Sequence, residues 1–289
     1  MILVTGATGQ YGKAAINFLM KKIPTDSIAA LARDENKAAE LKASGIDVRI
    51  GDYTDYDSML KAFKGIDKLL LVSSSDMGDR SVHHINAINA AKEAGVKHIV
   101  YTSAGIKDMN DSAISFITTA HARTVDYLKK SGITYTFLHN NLYADVLPNF
   151  IGNKVLETGV YYPAGNGRVP FATREDMAEA AANVLTTEGH ENQEYPISSD
   201  ITYSFDEVAS MFSDLSGTQI QYIDPTKEEY SEQLAKTGVP EMYIGFFTAF
   251  ADAIKNNEFN VPSSALEVLL GRKPTELKEY LQSAYFTNN

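Results

Sequence analysis

The chain contains no cysteine among its 289 residues. This absence excludes disulfide bonds, thiolate nucleophiles and cysteine-ligated metal or iron–sulfur centres. Positive charge is also scarce, because 26 Lys and Arg residues oppose 37 Asp and Glu residues, which gives a formal net charge of −11. We therefore expect no general electrostatic attraction to nucleic acid or to an anionic membrane surface.

Long apolar runs are missing as well. No segment approaches the roughly 20 apolar residues that a transmembrane helix needs. Met1 leads directly into an apolar strand pattern, without the basic start and apolar stretch of a signal peptide. We therefore expect a cytoplasmic protein that does not bind membranes. With 44% hydrophobic residues and a mean hydropathy of −0.20, the composition is typical of a globular protein.

A glycine-rich turn stands near the start of the chain. The apolar run at 2–4 is followed by Gly6, Gly9 and Gly12, spaced two residues apart, and then by a helical pattern. Such a strand–turn–helix offers free backbone N–H groups and the positive end of a helix dipole to a phosphate. The alternative is a structural turn without a ligand. We predict dinucleotide contacts from Gly6, Ala7, Thr8, Gly9, Gln10, Tyr11 and Gly12.

The rest of the pattern predicts the fold. Apolar runs at 2–4, 28–32, 48–50, 68–72, 98–101 and 134–138 alternate with helical patterns. This alternation predicts an α/β fold with a Rossmann-like, doubly wound parallel sheet. Beyond residue 145, glycines, prolines and helical segments predict a smaller, mainly helical C-terminal lobe. We predict an NADP-binding domain at 1–145 and a substrate-binding lobe at 146–289, and leave open a return to the sheet near 173–197.

Polar residues at the carboxyl ends of the predicted strands are candidates for binding the cofactor. Arg33 follows the second strand, where an Arg suits the 2′-phosphate of NADP, although it could also be a solvated residue. Asp52 follows the third strand and is either an adenine contact or a turn residue. Ser73, Ser74 and Ser75 follow the fourth strand and either line the cofactor crevice or form a polar loop. The predicted cofactor is NADPH, in preference to NADH.

The usual catalytic patterns are absent. No Lys has a Tyr four residues before it, and no Gly-x-Ser-x-Gly elbow or metal-ligand spacing occurs. Ser103, at the end of the fifth strand, and His121, on the next helix, are the candidate catalytic residues. His121 could serve as a substitute acid, since histidine ordinarily titrates near neutrality, or could simply cap or pack the helix. Hydride transfer needs no enzyme acid if the acceptor is electron-poor, as quinones and cationic dyes are.

A flat apolar pocket would suit such an acceptor. Asn140, Tyr143 and the aromatic residues Phe246, Phe247 and Phe250 could form it. Packing in the core of the lobe is the alternative for these three phenylalanines.

Taken together, these motifs resemble the NmrA-like family of atypical short-chain reductases, and within it the bacterial quinone reductases and triphenylmethane reductases. The resemblance implies an NADPH-binding Rossmann domain, with a substrate held between this domain and the C-terminal lobe. It also implies that the strip from Asn140 to Tyr143 contacts the cofactor or the pocket, and Asn140 and Tyr143 are predicted cofactor-binding residues. The resemblance to the family rests on segments 4–10, Arg33, 51–53, 71–75, 94–97, 101–103, 140–143, 172–174 with Asp176, and 270–274.

The chain departs from the quinone reductases of this family at two places. These often have a His-x-x-Thr-x-Lys arrangement, whereas this chain has Asp126 after His121 and Thr124. They usually read Arg-Asn where this chain reads His139-Asn140. Three functions follow: an NADPH-dependent reductase of a quinone-like acceptor, a reductase of cationic dyes, or a non-catalytic redox sensor that binds dinucleotide and controls a partner protein.

Overall fold

The computed structural model describes residues 1–74, 78 and 80–286. The strands are β1 Ile2–Val4, β2 Ile28–Ala32, β3 Asp47–Ile50, β4 Lys68–Leu71, β5 His98–Ala104, β6 Thr134–Asn140, β7 Val160–Tyr161, β8 Gln193–Ile197 and β9 Tyr222–Ile223. The first helices are α1 Gln10–Met20, α2 Ala39–Ala43, α3 Tyr56–Ala62, α4 Arg80–Glu93, α5 Ser115–Ser131, α6 Leu147–Ile151 and α7 Val155–Thr158. The later helices are α8 Arg174–Thr186, α9 Phe205–Ser216, α10 Lys227–Lys236, α11 Glu241–Lys255, α12 Ala265–Leu270 and α13 Leu277–Phe286. No helix in these described ranges is long and apolar enough to span a bilayer.

The main sheet has the strand order β3-β2-β1-β4-β5-β6-β8, and each strand is parallel to its neighbours. The chain adds strands on one side of β1 up to β3 and then on the other side from β4. Ligands of such sheets bind where the order reverses, outside the carboxyl ends of the strands. The predicted fold class is confirmed.

The chain returns to the sheet after the point at which the predicted nucleotide-binding domain ends. β8 pairs with β6, and Pro196 lies opposite His139. A proline is tolerated there because β8 is an edge strand. No further strand of the described chain lies on its outer side, so an N–H missing on that side costs no hydrogen bond within the sheet. The return that the sequence left open is therefore present, while the domain division at 145 stays a prediction.

Helices cover both faces of the sheet. Helices α1, α8 and α12 pack on one face, and α3, α4 and α5 pack on the other. In α8 the side chains of Ala178, Ala181 and Ala182 are fully buried, and such small residues let the helix approach its neighbours closely. Leu69, Leu70 and Leu71 of β4 are also fully buried, as expected for a central parallel strand.

The C-terminal lobe has its own aromatic core. The rings of Phe150 and Tyr162 stack at 5.1 Å, and Tyr162 also contacts Phe205 and Tyr230. Helices α9 and α10 begin with capping boxes at Ser204 and Thr226, where each side chain and the glutamate three residues later bind each other's backbone N–H groups. The short parallel pair of β7 and β9 was not predicted, because two-residue strands are too short to show an alternating pattern.

A buried carboxylate joins α8 to the segment after α12. Asp176 is 1% exposed and lies 2.7 Å from the guanidinium of Arg272. It also accepts hydrogen bonds from the Thr275 amide at 2.8 Å and from the Thr173 hydroxyl at 2.9 Å. Segments 172–176 and 270–274, which both contribute to the family resemblance, thus contact each other in the folded chain.

The glycine-rich turn sits directly against α1. Gly6 has a φ of +58°, which favours glycine. A Cβ on Gly12 would lie 2.7 Å from the carbonyl carbon of Gly6 and would also overlap its carbonyl oxygen. Helix α1 can therefore reach the turn only because residue 12 has no side chain.

The variant Arg272→Met should lower the free energy of unfolding by about 1–3 kcal/mol. The loss is less than for a fully buried pair, because the Arg272 side chain is 46% exposed. Urea unfolding measures it. Lys273→Met is the control, because Lys273 is 75% exposed and its pair with Glu267 is screened by solvent, so its loss should hardly change stability. Equal losses in the two variants would contradict the importance of the Asp176 contact.

The variant Gly12→Ala should lower the free energy of unfolding by about 1–3 kcal/mol, since the new methyl group forces the turn and α1 apart. Gly245→Ala in α11 is the matched control, because a Cβ there meets no atom within 4 Å. This control should be more stable by about 0.5–1 kcal/mol. Thermal unfolding of both variants tests the close approach, and a stabilised Gly12→Ala would disprove it.

Candidate functional site

A cavity of about 1200 Å³ lies between the carboxyl ends of the strands and the C-terminal lobe. Its volume exceeds the roughly 300–1,000 Å³ of a typical pocket for one drug-sized ligand. Among the predicted site residues, Ala7 is fully buried outside the cavity wall, and Ser75 lies outside the described residues. The predicted residues that line it are Gly6, Thr8, Gly9, Gln10, Tyr11, Gly12, Arg33, Asp52, Ser73, Ser74, Ser103, His121, Asn140 and Tyr143.

One end of the cavity is formed by the start of α1. No side chain caps this helix, and its first turn contains no acidic residue. The turn before it is held in place by Thr5, whose hydroxyl donates to the Leu70 carbonyl and accepts from the Val72 amide. The N–H groups of the first helical turn therefore remain available to an anion, and they fit the pyrophosphate of a dinucleotide.

Two cationic residues line the same end. Arg33 is exposed at the end of β2 and forms no salt bridge with any residue in the described ranges. Lys37, which the sequence analysis did not select, lines the cavity from the next short 3₁₀ turn, Asn36–Ala38. No motif position marks this lysine, so only the folded chain shows that it lines the same cavity as Arg33. The pair fits a phosphate group carried on the ribose of NADP.

Asp52 closes a turn beside these cations. Its carboxylate accepts hydrogen bonds from the Thr54 amide at 2.8 Å and from the Thr54 hydroxyl at 2.7 Å. The hydrogen bond from the amide lowers the pKa of Asp52 below its usual value. The structure thus assigns the turn role to Asp52, and the residue also lies in the cavity wall.

The loop after β4 is fixed through its backbone. The Ser73 amide donates to the Thr102 hydroxyl at 2.9 Å, and the Ser74 amide donates to Nε2 of His84 at 3.0 Å. Neighbouring β5 and α4 therefore determine where the two serines lie.

Aromatic and amide groups line the middle of the cavity. The Tyr11 hydroxyl donates to the Met177 carbonyl at 2.9 Å, so it anchors α1 to α8. The Tyr143 ring lies 6.2 Å from the Tyr11 ring and 4.7 Å from the guanidinium of Arg174. The side-chain oxygen of Asn140 is buried and has no hydrogen-bond partner among the described residues. A ligand amide, such as the carboxamide of nicotinamide, would supply the missing donor.

A buried cluster of polar rings reaches the cavity at His121. The Tyr101 hydroxyl lies 2.8 Å from Nδ1 of His121 and 3.3 Å from Nδ1 of His84, which itself lies 2.9 Å from the Thr124 hydroxyl. Burial lowers the pKa of His121 well below its usual value. Burial therefore disfavours the charged imidazolium that an acid role would need, and a catalytic role of His121 stays a prediction.

Ser103 does not complete a catalytic pair with any of these groups. It is 3% exposed, and its recorded side-chain contact is to the Met109 sulfur at 3.9 Å. The two departures from the quinone-reductase pattern also lie elsewhere: His139 faces Glu194 at 3.3 Å, and Asp126 pairs with Lys130 on the surface of α5. Neither His139 nor Asp126 is part of the cavity wall.

The other end of the cavity is an aromatic chamber. We define it by Phe246, Phe247 and Phe250 of α11, together with Phe150 and Phe259. The rings of Phe246 and Phe250 are 4.6 Å apart, and Phe250 stacks on Phe259 at 5.9 Å. The α11 phenylalanines pack in the core of the lobe and also line the cavity, and their role in an acceptor pocket stays a prediction. In the described part of the chain, no group of three or more acidic or histidine side chains is arranged to hold a metal ion.

Comparison with known proteins adds a second line of evidence. Quinone oxidoreductase 2 of Escherichia coli (strain K12) is 38% identical over 296 residues, with 100% of both chains covered. The NAD(P)H azoreductase of Xenophilus azovorans is 33% identical over 243 residues, which are 83% of this chain and 82% of the relative. The crystal structure of the Citrobacter sp. triphenylmethane reductase complexed with NADP(H) has a TM-score of 0.93 at 38% identity, and covers 98% of this chain and 100% of that chain.

The model of the NmrA-like family matches residues 1–284. This match includes the glycine-rich turn, the cavity wall and the aromatic chamber. Since it spans nearly the whole chain, and the relatives named above are more than 30% identical to it, the protein belongs to the NmrA-like family.

Proposed function

We propose that the chain is an NADPH-dependent reductase that transfers hydride to a quinone or a similar electron-poor acceptor. The observation that carries this proposal is that one continuous cavity joins the uncapped start of α1 to the aromatic chamber. A quinone oxidoreductase, an azoreductase and an NADP(H)-bound triphenylmethane reductase are among the similar proteins, and they support it.

The cofactor end is built to bind and orient a phosphorylated dinucleotide. The first-turn N–H groups of α1 would hold the pyrophosphate, while Arg33 and Lys37 would hold the 2′-phosphate. Asn140, with its unpaired side-chain oxygen, would orient the carboxamide. When bound, NADPH supplies a hydride.

The acceptor end positions a flat molecule and excludes water. The rings of Phe246 and Phe250 offer apolar faces, and the sequence contains no Tyr-x-x-x-Lys motif to donate a proton. Such a site suits an acceptor that takes hydride readily and collects its proton from water. Cationic dyes meet the same requirement and are the second candidate acceptors, supported by the likeness to triphenylmethane reductase.

Replacing Arg33 tests the choice of cofactor. Arg33→Ala should weaken NADPH binding by roughly 1–3 kcal/mol and leave NADH binding nearly unchanged, because only NADPH carries the 2′-phosphate. Fluorescence titration with both cofactors measures the two affinities. Lys154→Ala, which removes an exposed cation of the C-terminal lobe, should change neither affinity. Equal losses for the two cofactors would rule out the 2′-phosphate role of Arg33.

Turnover tests the reaction itself. Purified protein should consume NADPH, followed by its absorbance band, when benzoquinones, naphthoquinones or cationic triarylmethane dyes are added. Mixtures without protein give the background rate. Binding of NADPH without consumption for any acceptor would favour the redox sensor over the reductase. Absence of NADPH binding would contradict both functions.

A further inference from the structure

The buried ring cluster has a defined direction of hydrogen bonding. It starts at the Ser74 amide, which can only donate, so Nε2 of His84 must accept. A neutral His84 then carries its hydrogen on Nδ1. Nδ1 faces the hydroxyls of Thr124 and Tyr101, and Thr124 already donates its own hydrogen to the Ala120 carbonyl. His84 is therefore the donor to these two oxygens.

The same reasoning fixes the tautomer of His121. The Tyr101 hydroxyl cannot donate to the protonated Nδ1 of His84 at 3.3 Å, and its shorter contact, 2.8 Å to Nδ1 of His121, makes that nitrogen the acceptor. His121 consequently carries its hydrogen on Nε2. Nε2 has no hydrogen-bond partner among the residues that the structure describes, and the His121 side chain lines the cavity.

The surroundings keep these rings uncharged. His84 and Arg80 on α4 and His139 on β6 face His121, and burial together with these groups lowers the pKa of His121. Burial lowers the pKa of His84 to about 3 and raises the pKa of Tyr101 above its ordinary value. An unprotonated imidazole at the cavity can donate a hydrogen bond but is a poor acid.

The cluster is also not a proton wire. Its first member is a backbone amide, which does not release its proton, so a proton given up by His121 would not be replaced through Tyr101 and His84. The arrangement instead holds one N–H in a fixed direction. Fixed donors of this kind stabilise negative charge that develops on an oxygen during reaction.

We propose that His121 donates its Nε2–H to a carbonyl oxygen of the acceptor, and that Tyr101 and His84 are positioning residues that hold this tautomer. This inference rests on the proposed function and narrows its substrate class to carbonyl acceptors such as quinones. The acceptor gains hydride, and negative charge grows on its oxygen beside His121. Water supplies the proton that completes the hydroquinone, and His121 keeps its own.

Comparing the rates of a His121 variant with a quinone and with a cationic dye distinguishes hydrogen-bond donation by His121 from simple packing. A quinone develops negative charge on oxygen, whereas a triarylmethane cation accepts hydride at carbon and becomes neutral. His121→Leu should therefore lower kcat/KM for a benzoquinone roughly ten- to a hundred-fold, as expected for loss of one donor to a developing charge. It should change kcat/KM for a cationic dye less than about threefold, because no oxyanion forms. His121→Gln, which keeps an N–H donor, should restore most of the quinone activity.

Tyr101→Phe keeps the buried ring and removes the hydroxyl that fixes His121. It should lower the quinone rate roughly three- to tenfold and spare the dye rate. Tyr127→Phe is the matched control, because the Tyr127 hydroxyl donates to Asn89 away from the cavity. Parallel losses for quinone and dye in His121→Leu, or an unchanged quinone rate, would overturn the proposal.

Nitrogen NMR of histidine-labelled protein tests the tautomer without turnover. His121 should be neutral and protonated at Nε2 at about pH 7, and Tyr101→Phe should remove this preference. An imidazolium, or a hydrogen on Nδ1, would overturn the inference while leaving the proposed function intact. A wild-type chain that consumes NADPH with dyes but with no quinone would overturn the role of His121 alone, and no consumption with any acceptor would overturn both.

Discussion

The close packing of α1 on the turn after β1 is the contact on which the rest of the site depends. Gly12 lies against the Gly6 carbonyl, so the first-turn N–H groups of α1 lie in the cavity wall rather than behind a side chain. Thr5 holds this turn against the ends of β4, and Tyr11 ties the helix to α8. The end of the cavity at α1 is therefore held in place before any ligand arrives, which lowers the entropic cost of binding one there.

The aromatic chamber meets a different constraint. Its phenylalanines must hold the lobe together and also leave room for an acceptor. Phe250 is buried and packs on Phe150 and Phe259, whereas Phe246 and Phe247 are only partly buried. The chamber therefore has a fixed floor and a more exposed rim. Between it and α1 stands His121, whose uncharged ring is a product of burial among Tyr101, His84 and the sheet.

Much of this arrangement could be predicted from the sequence, because its signals are local. The strand–turn–helix with Gly6, Gly9 and Gly12 appears in consecutive residues, and the apolar runs of the parallel strands are continuous. The position of β8 could only be left open, because Pro196 and its polar neighbours weaken the strand pattern. Residues such as Arg33 could be selected because they follow a predicted strand directly, and their cofactor contacts stay predictions.

Other features could not be predicted, because they arise from contacts between distant residues. Lys37 reaches the cavity through a short turn that no motif marks. The lowered pKa of His121 depends on burial in the folded chain, whereas the residue type alone suggests a pKa near neutrality. The bonds from Ser74 to His84 and from Tyr101 to His121 join four separate elements of the chain. The contact of Asp176 with Arg272 spans 96 residues and has no local signature either.

The central claim is that one cavity holds a dinucleotide at α1 and an acceptor at the aromatic chamber together. Hydrogen–deuterium exchange, read by mass spectrometry, tests it directly. NADP⁺ should protect segments 6–12 and 33–37, and a non-reducible quinone analogue added to that complex should further protect 246–250. Failure of NADP⁺ to protect the glycine-rich turn, or displacement of NADP⁺ by the analogue, would contradict the account.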